Sequence, residues 1–507
     1  MAKRIVVLVH GWSVHNTDSY GGLAQRLELE TLKDPSLDID IKQIWLGKYI
    51  SFRDEVRLDD IAKAFEIALR NELAGLISSG VKCIIITHST GGPAIRNWVD
   101  LFYTQKNNLA ACPLSHLIML APANFGSALA QLGKSRVARL KSWFEGVEPG
   151  QGVLNWLELG SYDAWQLNKR WIENSEQFLE PGIIFPFVLT GQTIDRHVYD
   201  HVNPYTGEMG SDGVVRAAAA NINTTYIKLG QKDPEEGEDL SLLDVTEYKL
   251  SARTAFTLIR NKAHSGDRIG IMRSIKPADD ADETVDSILK CINVNNINDY
   301  RSLCDAFDVQ TVNALTDPEE VIEADLHFLL PDQYFITDPM SMLIVRVTDD
   351  EGRSIGECDI IFTGPDNDPD KLPVGFLADR QRNSINKDTV TFFFNYAAMA
   401  GGPEMKYGDK VLCEKRIGVK QLGIIIDPHN NSGFAHYKKA RLNASEDMMN
   451  RILRPNQTTL LEIVMKRVVH EGTFRITLNR GAEEFKDTDP GKIISSAGSV
   501  NDPGHSV

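Results

Sequence analysis

Cys83-Ile84-Ile85-Ile86-Thr87-His88-Ser89-Thr90-Gly91-Gly92-Pro93-Ala94-Ile95-Arg96-Asn97-Trp98 decides the fold of this chain. A short apolar, β-branched run reads as a buried strand. It passes without a break through a small-residue turn into a segment of helical pattern. That order is the strand–turn–helix context of a nucleophile elbow, in which a tight turn holds a serine side chain above a sheet edge. Strand and helix approach closely there, so the flanking residues must be small. Gly91 and Gly92 meet that need, whereas Thr87 stands where the common pattern has glycine and is a β-branched departure. The plain alternative, a serine in an ordinary turn, has to be weighed against what lies upstream and downstream.

Upstream, Ile5 to Val9 reads as a buried strand that runs into His10-Gly11-Trp12-Ser13. In this context the turn after the first strand supplies one backbone N–H to an oxyanion, and the residue after the nucleophile supplies a second. Those residues are Trp12 and Thr90. Downstream, a carboxylate and then a histidine are expected in that order. Gly210-Ser211-Asp212-Gly213-Val214-Val215 places Asp212 in a short turn before an apolar pair, with Asp195 and Asp200 as nearby competitors. Asn261-Lys262-Ala263-His264-Ser265-Gly266 places His264 in a loop of small residues. His197 and His201 precede Asp212 and would invert the order. The roles then follow. Ser89 attacks, His264 shuttles the proton, and Asp212 fixes the imidazole tautomer.

These stretches, together with Ala121-Pro122-Ala123-Asn124-Phe125-Gly126-Ser127, resemble the lipase branch of the α/β-hydrolases over the N-terminal half of the chain. The chain is also similar to bacterial phospholipase-like hydrolases, toxic lipase effectors among them. The resemblance implies a serine esterase acting on lipid esters, without a cofactor. It also implies a lid or cap after Ser127. Two other readings stay open: an esterase on small soluble esters, and a catalytically inactive hydrolase fold used for binding or as a scaffold.

The expected organisation is an α/β-hydrolase with a mostly parallel sheet over residues 1–312, including a lid or cap insertion at about 127–181. A β-rich, sandwich-like part follows at 313–485, and a disordered tail at 486–507. Four of the 7 tryptophans (Trp143, Trp156, Trp165 and Trp171) fall in the insertion. The basic run Lys134, Arg136, Arg139 and Lys141 leads into Trp143-Phe144, as a lipid-facing lid would, with Trp156 adding apolar surface. The competing reading packs these tryptophans inward as the core of a cap.

The net charge of −16 argues against nucleic acid as a partner, because binding there needs a basic footprint. The expected partner is a lipid or membrane-surface substrate, with the β-rich half free to bind a protein or a membrane. No window approaches the roughly 18 apolar residues of a membrane-spanning helix, and the first apolar run is too short for a signal peptide. The expected location is therefore cytoplasmic, with export by a signal-independent route left open. The 6 cysteines are scattered without a C-x-x-C pair, which fits free thiols. No zinc spacing occurs. Asp366-Asn367-Asp368-Pro369-Asp370 resembles the start of a calcium loop, but Lys371 stands where glycine is required and Leu377 where glutamate is.

Overall fold

The computed structural model describes residues 3–11, 18–50, 53–131, 150–179, 183–194, 209–233, 240–279, 281–316, 319–321, 333–335, 337–429 and 435–469. Trp12, Trp143, Phe144, the competitors Asp195 and Asp200, and the C-terminal tail lie outside them.

Six strands form the first sheet: β1 (Arg4–His10), β2 (Ile39–Trp45), β3 (Cys83–His88), β4 (Leu114–Leu120), β5 (Phe185–Thr190) and, after two strands that go elsewhere, β8 (Ala255–Leu258). Their order is β2-β1-β3-β4-β5-β8, and every neighbouring pair is parallel. The inner strands β1, β3, β4 and β5 are largely apolar and buried because both faces are covered, whereas the edge strand β2 carries Asp40, Lys42 and Gln43 and is only partly buried. Side chains of a strand alternate between faces, and the two cores divide accordingly. Val7, Ile85 and Met119 enter one core, and Leu8, Ile86 and Leu120 the other. The helix Leu58–Glu72 covers the first face with Ile61, Phe65 and Leu69, and the helices Leu23–Lys33, Glu283–Ile292 and Ile297–Thr316 cover the second. The chain passes from β1 outward to β2 and returns to β3 on the other side. The carboxyl ends of β1 and β3 are therefore the topological switch point of the sheet, where open α/β sheets place their ligands.

The second sheet has nine strands and is mixed. β6 (Thr224–Gln231) and β7 (Ser241–Leu250) belong to it rather than to the first sheet. Its order is Cys358–Thr363, Leu422–Pro428, Ala440–Ser445, β7, β6, Thr458–Met465, Met340–Asp349, Thr389–Asn395 and Leu377–Arg382. β7 serves two layers. Ser241 and Leu242 pair with Ala440 and Arg441, whereas the residues from Leu243 onward pair with β6. The sheet curls over until Phe362, on its first strand, meets Phe392 and Phe394 edge-on at ring-centroid distances of 4.8 and 4.9 Å. A sandwich-like core is enclosed between the two layers.

The insertion after Ser127 contains the helices Gln151–Leu157 and Tyr162–Phe178. Trp156, Trp165 and Trp171 are 3 to 4% exposed and share a core with β1 and β3 on one side and with Tyr226, Met342 and Phe393 of the second sheet on the other. Trp156, expected as lid surface, is therefore an interior residue. It recurs on one helical face with Val153 and Leu157, and that face has two sheets to pack between. Glu158 ties the insertion to the second sheet, its carboxylate accepting from the N–H and Oγ of Ser384 at 2.6 and 2.8 Å. At the calcium-like stretch, Lys371 pairs with Asp366, placing an ammonium where a cation would be held. No described helix is long and apolar enough to cross a membrane.

Candidate active site

In a parallel sheet all strands end at the same edge. β1 delivers His10 and Gly11 there, β3 delivers Ser89, the segment after β5 brings Asp212, and the loop after β8 brings His264.

Ser89 follows β3 with φ +54°, a left-handed conformation that few non-glycine residues adopt. The turn is braced by backbone bonds. Ser89 N–H donates to Leu120 O at 3.0 Å, and Gly92 N–H to Ser89 O at 3.2 Å. A Cβ at position 92 would lie 2.6 Å from Pro122 Cβ, so glycine is required there. A Cβ at position 91 would lie 3.2 Å from Thr87 Cβ. The β-branched Thr87 is accommodated because its neighbour across the turn has no side chain. Thr90 opens the helix Gly91–Val99 as its N-cap, at the positive end of the helix dipole.

Asp212 is fully buried. Its Oδ1 accepts from the N–H groups of Val214 and Val215 at 3.0 and 2.7 Å. Its Oδ2 lies 2.9 Å from His264 Nδ1. A carboxylate only accepts, so the imidazole proton sits on Nδ1 and the Nε2 lone pair is free. Nε2 faces Ser89 Oγ at 3.0 Å. Hydroxyl, imidazole and carboxylate thus form one line of hydrogen bonds, with His264 1% exposed. Such a line can transfer a proton from the hydroxyl while keeping the resulting imidazolium beside a negative charge.

Of the residues singled out from sequence, Ser89, Thr90, Asp212 and His264 come together. Trp12 lies outside the described residues, but His10 and Gly11 place the chain beside β3, with Leu8 in register with Ile86. His10 is 1% exposed, bound to Ser19 Oγ through Nδ1 at 2.7 Å and to Gln43 Oε1 through Nε2 at 3.2 Å. Among the described residues no group of three or more His, Cys, Asp or Glu is placed to hold a metal.

Sequence reasoning missed a buried polar network beneath the elbow. Arg96 is wholly buried. It donates from Nη1 to Asn124 Oδ1 at 3.1 Å and from Nη2 to Asn168 Oδ1 at 2.9 Å, and it lies 4.6 Å from the centroid of Trp171. Burial pushes its pKa down to about 9. Asn124 in turn donates to Ala220 O at 2.7 Å. The network joins the elbow helix, the turn after β4 and the insertion helix. The second sheet reaches the site as well. Arg216, just beyond the Asp212 turn, pairs with Asp379 at 3.1 Å and covers the Phe393 ring at 3.6 Å.

Fold and site together define an α/β-hydrolase of the lipase and phospholipase type. Similarity to solved structures narrows this further. Phospholipase PlaB from Legionella pneumophila is 42% identical over 98% of this chain and 100% of its own, with a TM-score of 0.81. Its complex with thio-NAD matches at 40% identity over 97% of this chain and 100% of its own, also at 0.81. The chain belongs to the family of that phospholipase. No protein-family profile and no curated protein matches the sequence.

Proposed function

We propose that this chain hydrolyses carboxylic esters of lipids through an acyl-enzyme on Ser89. Ser89 Oγ attacks the ester carbonyl carbon as His264 Nε2 takes its proton. The tetrahedral intermediate collapses, the C–O bond to the alcohol breaks, and His264 returns the proton to the departing oxygen. Water, deprotonated by the same nitrogen, then attacks the acyl group and releases the acid. Asp212 holds the tautomer and stabilises the imidazolium. The N–H groups of Thr90 and Trp12 receive the oxyanion. Each step uses groups of the chain and water alone.

The observation that carries this reading is the Ser89–His264–Asp212 line, at 3.0 and 2.9 Å, on a serine held at φ +54°. The lipid substrate is supported by 42% identity to a phospholipase along the full length of that protein. The enzyme meets its substrate at a membrane or micelle surface, approaching from the aqueous side, and the β-rich half beyond residue 313 serves contact with a membrane or a protein partner.

The test compares wild type with Ser89→Ala on phosphatidylcholine and phosphatidylglycerol micelles, triglyceride emulsions and a short monomeric ester. Wild type should release fatty acid from the phospholipids fastest, and the variant should lose about 10³-fold or more in kcat. Preference for the short ester would favour a soluble-ester esterase. Equal turnover by both proteins would end the case for this mechanism.

A further inference from the structure

His88 is the last residue of β3, half-buried beside the serine. Its Nε2 lies 3.0 Å from the backbone carbonyl oxygen of His264, and the two rings sit 4.7 Å apart, tilted by 45°. On the other side of the same residue, His264 N–H donates to the backbone oxygen of Asp212 at 2.9 Å. The backbone that carries the imidazole is thus held at both of its polar groups. One is held by the acidic residue itself, the other by the neighbour of the serine. The same loop is also held by Ala263 N–H to Ile269 O and Ile271 N–H to Ala263 O, both 2.8 Å, and by Lys262 Nζ, which donates to Ser274 Oγ at 2.8 Å and to Asp282 at 2.9 Å.

We propose that His88 is a positioning residue that sets the His264 imidazole against Ser89 by clamping the His264 carbonyl. The inference rests on the reading of Ser89, His264 and Asp212 given above. β3 and β8 are not neighbours, since β4 and β5 lie between them. The loop after β8 therefore has no sheet bond to the elbow, and the side chain of His88 spans that gap. The position of the donor is fixed by the strand, because His88 is paired in register with Leu120. A misplacement of about 1 Å at a reacting group costs on the order of 100-fold in rate, so a clamp at this point acts on kcat.

The charge state fits the role. A carbonyl only accepts, so Nε2 of His88 carries the proton. Burial first, and then the charge of His264, hold its pKa well below the usual histidine range. His88 is therefore neutral when His264 becomes an imidazolium, and no second cation stands 4.7 Å away. The place calls for an uncharged donor with the reach of an imidazole Nε2.

The experiment uses the full chain and three variants, His88→Gln, His88→Asn and His88→Phe, with Ser89→Ala alongside. Fluorophosphonate labelling rate, kcat and KM on phosphatidylcholine micelles, and melting temperature are measured for each. His88→Phe should label and turn over about 10- to 100-fold more slowly, with KM changed by less than about twofold. The Gln amide reaches the Nε2 position, so His88→Gln should stay within about threefold of wild type. The shorter Asn should behave like Phe. Wild-type rates in His88→Phe, or an equal loss in Gln and Phe at matched melting temperatures, would overturn the proposal. If His88→Phe does not fold, the difference between Gln and Asn decides, and equal rates overturn it. Labelling of Ser89→Ala would sink the assignment of the nucleophile instead. A normal contrast between wild type and Ser89→Ala with no effect at position 88 sinks the clamp alone.

Discussion

At Ser89 the chain holds a non-glycine residue at φ +54°, a conformation that costs on the order of 1 kcal/mol. That strain is borne by the bonds of Ser89 N–H to Leu120 O and of Gly92 N–H to Ser89 O, and by Gly92, where any side chain would strike Pro122. Ser89, Asp212 and His264 could be singled out in the sequence because each sits among small residues, Ser89 after an apolar run, Asp212 before the Val214-Val215 pair and His264 between Ala263 and Ser265-Gly266. His88 was legible only as an occupant of the motif, since its partner is a backbone oxygen 176 positions away. Arg96 gave no signal. A lone arginine in a helix reads as surface, and the amides of Asn124 and Asn168 together with the Trp171 ring make its burial tolerable.

His116 lies in β4, its Nε2–H bonded to Val294 O at 2.8 Å, and burial, with a smaller contribution from Arg4, pushes its pKa down to about 4. The unfolded chain takes up a proton at this histidine from about pH 6.5 downward, whereas the folded one refuses it until about pH 4. Stability is therefore lost as pH falls through that window, by about 3 kcal/mol from this group. His88 contributes in the same direction. In urea titrations at pH 7 and pH 4.5, His116→Gln should lose about 2 kcal/mol less than wild type across that interval. Equal losses would contradict the assignment.

Among the elements, the parallel sheet was readable because its inner strands β1, β3 and β4 are buried on both faces and so appear as runs rich in Ile, Val and Leu. Its outermost strand, Ala255–Leu258, is too short to give a pattern, and Thr224–Gln231 and Ser241–Leu250 went unread as strands. Their partners explain why. Thr224 pairs with Thr458, and Ser241 with Ala440, so the interactions that define them are remote in sequence. The tryptophans of the insertion followed the same logic. Composition allowed either a lid or a core, and Trp156, Trp165 and Trp171 are placed in the core by the second sheet that packs against them.

Where elements cross, glycine sets the clearance. A Cβ on Gly191, just after β5, would lie 1.7 Å from Lys262 O, two residues before His264. Gly191→Ala must push that loop away from Ser89, and kcat should fall about 100-fold. Gly75→Ala serves as a control. It lies in the helix Ala74–Ser78 with nothing within 4 Å of an added Cβ, and it should keep full activity with a gain of about 0.5–1 kcal/mol in stability. Equal activity of the two variants would show that the loop crossing does not position the histidine.

Across the whole molecule, the site is assembled by topology. Ser89, Asp212 and His264 are separated by more than a hundred residues from first to last, and each arrives at the carboxyl edge of one sheet because all six strands point the same way. The second sheet closes around this arrangement. It shares the tryptophan core with the first, and Arg216 carries its contact with Asp379 and Phe393 to the turn that holds Asp212. The sequence showed that a β-rich half was present. It could not show that this half reaches back to the acidic loop, because that contact joins residues 163 positions apart.

On this account the assembly activates one hydroxyl, that of Ser89. The measurement that meets it most directly is peptide mapping by mass spectrometry after a fluorophosphonate probe has reacted with the native full-length protein. A single adduct on Ser89 is expected, lost in the unfolded protein and greatly slowed in Asp212→Asn, where the imidazole is free to adopt the wrong tautomer. An adduct on another serine, or none at all while lipid esters are still hydrolysed, would contradict it.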